Sequence, residues 1–174
     1  MLDTLITSQT RINLLIRFFA HSRNQGYLRG LAEEFGESSN AVRIELNRLE
    51  KAGMLISYPV RNRKIYQANK DFQLFTEIRS LVLKHLKLDK LLHEIVLKTE
   101  NLKEIWIENI INQSDNCNEN LLLLVGDKID RETAMAILKE NQKPSMDIQV
   151  IDTDKTAALS KFPNRLLLWT QQSI

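Results

Sequence analysis

The side chains here best placed for chemistry are polar and basic. Ser39, Asn40, Arg43 and, one turn later, Asn47 lie within the stretch 37–53, ESSNAVRIELNRLEKAG. At that spacing they share one side of a helix, and amides and guanidinium groups hydrogen-bond to base edges in a major groove. Ser38 or Ser39 can cap the helix start, because a serine hydroxyl accepts from the unpaired N–H groups of the first turn. Val42, Leu46 and Leu49 recur at helical spacing as one apolar stripe, and Ala52-Gly53 ends the helix. A second group follows at Arg61, Asn62, Arg63 and Lys64. It sits between two strand-like runs, 54–59 and 64–68, as a basic hairpin tip suited to phosphate contacts. Asn62 is expected to supply any positive φ that the turn needs.

Other chemistry is sparse. No Walker-type loop, dinucleotide fingerprint or zinc spacing occurs. His21, His85 and His93 are scattered, and Cys117 lies between Asp115 and Glu119, carboxylates that raise a thiol pKa. The sequence therefore predicts no catalytic residue, no metal ligand and no cofactor.

Charge separates the chain into halves. Residues 1–70 hold 11 Lys and Arg against 6 Asp and Glu, whereas residues 71–174 hold 13 against 16. A basic half followed by an acidic one fits a nucleic-acid-binding module joined to something else. The single cysteine excludes an internal disulfide framework and fits a reducing compartment. With no leader pattern and no apolar run near the ~20 residues that span a bilayer, a cytoplasmic protein without a membrane partner is expected.

The elements that must position these groups can be read in order. Ser8-Gln9-Thr10 starts a helix to about His21, with Ile12, Leu15, Ile16 and Phe19 facing inward and Arg11 and Arg17 outward. Residues 22–26 read as a loop and 27–35 as a short helix. Ala32 is small where two helices approach, and Gly36 permits a sharp turn. Helix followed by turn and helix, then a basic hairpin, is the order of a helix-turn-helix with a wing. Residues 71–98 read as helix, with apolar positions from Leu74 to Ile95 and a second segment capped by Asp89. That stripe can pack on its own domain or pair with its copy. Beyond residue 100, runs at 102–107, 121–125, 147–151 and 165–169 read as strands, with helices at 130–141 and 153–161. Apolar strands separated by helices predict a buried α/β layer.

Residues 8–70, with NRLEKAG closing the third helix and IYQAN closing the hairpin, resemble the ArsR/MarR-like winged-helix regulators of bacteria and archaea. The resemblance places base reading on Ser39, Asn40, Arg43 and Asn47 and the wing on Arg61 to Lys64, and it implies a homodimer. The paired cysteines of metal-sensing members are missing. The later stretch, with LLLLVGDKID, resembles a minimal nucleotidyltransferase fold. That family carries a Gly-Ser turn after its first strand and an Asp-x-Asp pair at its second. Here 108–113 is ENIINQ, and Leu121 stands where the second carboxylate belongs, so a degenerate, non-catalytic domain is implied.

The expectation is thus an α+β chain in three parts. Residues 1–70 form a winged helix-turn-helix, 71–99 a helical linker for dimerisation, and 100–174 a small nucleotidyltransferase-like α/β domain. Its expected function is that of a bacterial transcriptional regulator, not an enzyme, binding double-stranded DNA as a homodimer. The alternatives are a nucleotidyltransferase-fold enzyme or a toxin–antitoxin component. The sequence names no operator and no small-molecule effector.

Overall fold

The structure is a computed structural model that describes residues 2–108, 120–143 and 146–171. The chain is α+β, with helices interspersed among the strands of two small sheets. It divides into two compact units, Met1–Leu86 and Lys87–Ile174.

The first unit runs α1 (Leu2–Leu5), α2 (Gln9–Phe19), β1 (Gln25–Tyr27), α3 (Leu28–Phe35), α4 (Ser39–Lys51), β2 (Leu55–Val60), β3 (Arg63–Ala68) and α5 (Phe75–His85). Ser8 caps α2 by accepting from the Arg11 N–H. Ile12, Leu15, Ile16 and Phe19 are buried with Leu31, Val42, Leu46 and Leu49, so the predicted stripes meet in one core. Gly36 turns the chain between α3 and α4 at φ 65°, a conformation that carries no Cβ penalty only for glycine. The Glu37 N–H then donates to the Ala32 carbonyl at 3.0 Å, satisfying a C-terminal carbonyl of α3.

Three expectations for this unit need correction. The stretch expected as a loop contains β1, which pairs antiparallel with β3 at Gln25–Gln67, Gly26–Tyr66 and Tyr27–Ile65. Arg11 and Arg17 do not simply face solvent. Arg11 Nε lies 2.8 Å from the buried Glu45 carboxylate, and Arg17 Nε lies 3.5 Å from Glu34. At the hairpin tip the positive φ belongs to Arg61, at 52°, and not to Asn62.

The second unit contains α6 (Asp89–Lys98), β4 (Leu102–Glu108), β5 (Asn120–Gly126), α7 (Arg131–Glu140), β6 (Met146–Ile151), a 3-10 segment (Thr153–Lys161) and β7 (Leu166–Thr170). The sheet order is β6-β5-β4-β7; β5 and β6 are parallel, and β4 is antiparallel to both β5 and β7. Leu123 and Val125 pack with Ile151 and with Leu159 of the 3-10 segment, while Leu122 and Leu124 on the alternate positions are also fully buried. Burial on both faces explains why the predicted strand is continuously apolar. A Cβ on Gly126 would lie 2.3 Å from the Asn101 carbonyl oxygen, so only glycine fits at that strand end. Asp130 caps α7 by accepting from the Glu132 and Thr133 N–H groups. Asp89, expected as a cap, is instead the first residue of α6, where its carboxylate faces the positive end of the helix.

The apolar stripe over 74–95 is mostly used within the chain. Val82, Leu83, Leu88, Leu91, Leu92 and Ile95 are buried, whereas Leu74 and Leu81 remain 49% and 41% exposed. Among the described residues no helix is long and apolar enough to cross a membrane.

Candidate nucleic-acid interface and a second cleft

Ser38 settles the start of α4, its hydroxyl accepting from the Ala41 N–H at 3.2 Å. Val42, Leu46 and Leu49 lock the inner side. Ser39, Asn40, Arg43 and Asn47 all lie exposed on the remaining surface. Arg43 Nη2 donates to Asn40 Oδ1 at 2.6 Å, which holds both side chains together on the first two turns. The sequence reading missed Ile44, which stands 43% exposed among these polar groups. Its position off the inner stripe was the available signal.

An ion-pair cluster fixes α4 to α2. Glu45 is only 6% exposed, yet it sits on the helix that carries the polar groups. Its carboxylate accepts from Arg11 and Arg48, each with an N–O contact of 2.8 Å. The hydrogen bond from Arg11 is the main reason that the Glu45 carboxyl is held below its usual range, against the opposing effect of burial. A buried carboxylate without such partners would be strongly unfavourable.

The hairpin joins the same surface. The pairing of β2 and β3 closes with Val60 opposite Arg63, leaving Arg61 and Asn62 as its loop. All four predicted tip residues, Arg61, Asn62, Arg63 and Lys64, are exposed. Arg63 stacks over the Tyr27 ring, 4.4 Å from its centroid. Lys64 Nζ donates to Glu50 of α4 at 2.8 Å, and Ser57 Oγ donates to the same carboxylate. The lysine and serine bonds draw the Glu50 carboxyl down, and Glu50 raises the Lys64 ammonium pKa. Arg61 has no ion-pair partner among the described residues.

A separate cleft of about 620 Å³ lies in the second unit, lined by Glu108, Leu121, Arg131 and residues 147–150. Strand register puts Glu108 opposite Leu121 and Leu121 opposite Asp147, so two carboxylates flank one leucine across three neighbouring strands. Arg131 Nη2 meets Asp147 Oδ1 at 2.9 Å and its Nε donates to the Ile148 carbonyl. Burial raises the Glu108 pKa, and nearby Arg165 partly opposes it. No group of three His, Cys, Asp or Glu that could hold a metal ion occurs among the described residues. Asp115, Cys117 and Glu119 lie outside the described residues.

No family model and no curated protein matches the sequence. Among solved structures the chain is similar to a "putative nucleotidyltransferase" from Sulfolobus solfataricus, at 17% identity and a TM-score of 0.38, over 52% of this chain and 85% of that one. It is also similar to TrmBL2, an archaeal chromatin protein that binds DNA, at 12% identity and a TM-score of 0.27, over 78% of this chain and 70% of that one. The first likeness corrects the expectation that the chain is not an enzyme: with such a protein among its structural neighbours, it is not assigned as a non-enzyme. What the two likenesses give together is weak resemblance both to a nucleotidyltransferase-like fold and to a DNA-binding protein.

Proposed function

We propose that the first unit is a winged helix-turn-helix that binds duplex DNA, with α4 in the major groove and the hairpin along the adjacent backbone. The observation that carries this reading is the exposed set Asn40, Arg43 and Asn47 on α4, beside a basic hairpin tied to the same helix through Glu50. Side chains of these types read base edges, and Arg61 at the hairpin tip suits a phosphate. Regulation of transcription as a homodimer is the biological role that fits it. The exposed Leu5, Leu74 and Leu81 on α1 and around α5 supply apolar surface for pairing. The test is selection of bound sequences from a pool of random duplexes by the full chain. Enrichment of one sequence, with half-sites about 34 Å apart, supports the reading. Recovery of unenriched DNA only, or of none, rejects it.

A second reading is favoured by the Glu108–Leu121–Asp147 row and its cleft: a nucleotide site in the second unit, matching the enzymatic alternative. Arg131 is the cation lining that cleft, and a phosphate there would compete with Asp147 for its guanidinium. Equilibrium dialysis with labelled nucleoside triphosphates should show saturable binding that Arg131→Gln weakens at least tenfold. No saturable binding by wild type would remove this reading, and equal binding by both proteins would remove Arg131 from the site.

A further inference from the structure

The centre of the outward side of α4 is apolar. Successive residues of a helix are about 100° apart, so Ile44 lies about 200° from Val42, pointing away from the core that buries Val42 and Leu46. Asn40 precedes it by one turn and Asn47 follows by one, on the same side, with Arg43 on the flank. An isoleucine exposed to 43% between hydrogen-bonding side chains gains nothing from water. In a major groove one base-pair feature rewards it: the C5-methyl of thymine, the apolar group on an otherwise polar floor. The neighbouring Arg43 suits guanine, and Asn40 and Asn47 suit adenine.

We infer that Ile44 is a specificity-determining residue that packs on a thymine methyl, so that the preferred duplex carries a thymine at the position under the middle of α4. This rests on the groove-binding reading of α4. It further commits that reading to an A·T pair recognised by shape and apolar contact rather than by a hydrogen bond.

The test replaces each thymidine of the selected duplex in turn by deoxyuridine, which removes the methyl and keeps the pairing. Affinity is measured by fluorescence anisotropy with wild type, Ile44→Ala and Ile44→Val. In wild type, one thymidine per half-site should cost about fourfold when its methyl is removed, the value of burying one methyl-sized group. In Ile44→Ala the same replacement should cost less than about 1.5-fold, while Ile44→Val keeps an intermediate penalty. Ile44 is exposed, so the substitutions leave the core intact, and circular dichroism verifies this. A wild type indifferent to every replacement, or an unchanged penalty in Ile44→Ala, overturns the inference while leaving DNA binding in place. Failure of wild type to bind any duplex overturns the groove-binding reading itself.

Discussion

His21 shows how one side chain makes this fold sensitive to acid. It is 5% exposed, its Nδ1 accepts from the Arg23 N–H at 3.1 Å, and Arg79 donates to the adjacent Ala20 carbonyl at 3.2 Å. Burial first, then the charges of Arg79 and Arg23, pushes its pKa from 6.5 down to about 4. Between those values the unfolded chain takes up a proton that the folded chain refuses, so stability falls as pH falls through that window. Between pH 7 and pH 5 the loss should be about 2 kcal/mol. Urea unfolding at the two pH values measures it, and His21→Asn, which keeps an acceptor without the titration, should lose much less. Equal losses in both proteins would remove His21 as the source. Some residue roles were open to reading from the sequence and others were not. The inward positions of Val42, Leu46 and Leu49 follow from periodicity alone. Arg11 looked solvent-facing because its partner, Glu45, lies 34 residues away and meets it only after folding.

At the scale of elements, α4 and the hairpin are held as one surface by Glu50, which accepts from both Ser57 and Lys64. That contact separates the roles of the hairpin cations. Arg61 stands at the tip, whereas the charge of Lys64 is already balanced. Plots of log affinity against log salt should therefore flatten by about 0.9 for Arg61→Gln, the value of one phosphate contact, and barely change for Lys64→Gln. An equal flattening for Lys64→Gln would place that lysine on a phosphate and contradict the division. The two hairpin strands were legible because each holds aliphatic and aromatic residues, Leu55, Ile56 and Tyr58 in one and Ile65 and Tyr66 in the other, and a polar tip separates them. β1 was not, because three residues carry no period, and its strand character comes from pairing with β3. The row of Glu108, Leu121 and Asp147 was equally hidden, since it depends on the register of strands distant in sequence. Arg61 rather than Asn62 takes the positive φ, a choice of turn geometry that residue preference alone does not decide.

For the whole molecule, the uneven charge of the sequence has a structural counterpart. The basic part carries α4 and the hairpin, and the acidic part carries the cleft beside Asp147 and Arg131. Each unit has its own internal contacts. If α4 reads DNA sequence, Arg43 is the side chain through which that is tested most directly. Anisotropy titrations of the full chain would compare wild type and Arg43→Ala on the selected duplex and on a scrambled duplex of equal composition. A bidentate arginine–guanine pair contributes about 1–3 kcal/mol of discrimination. Arg43→Ala should weaken the selected duplex by roughly 5- to 150-fold and shift the scrambled one by less than about threefold. Unchanged selectivity in a folded Arg43→Ala variant would contradict base reading by α4.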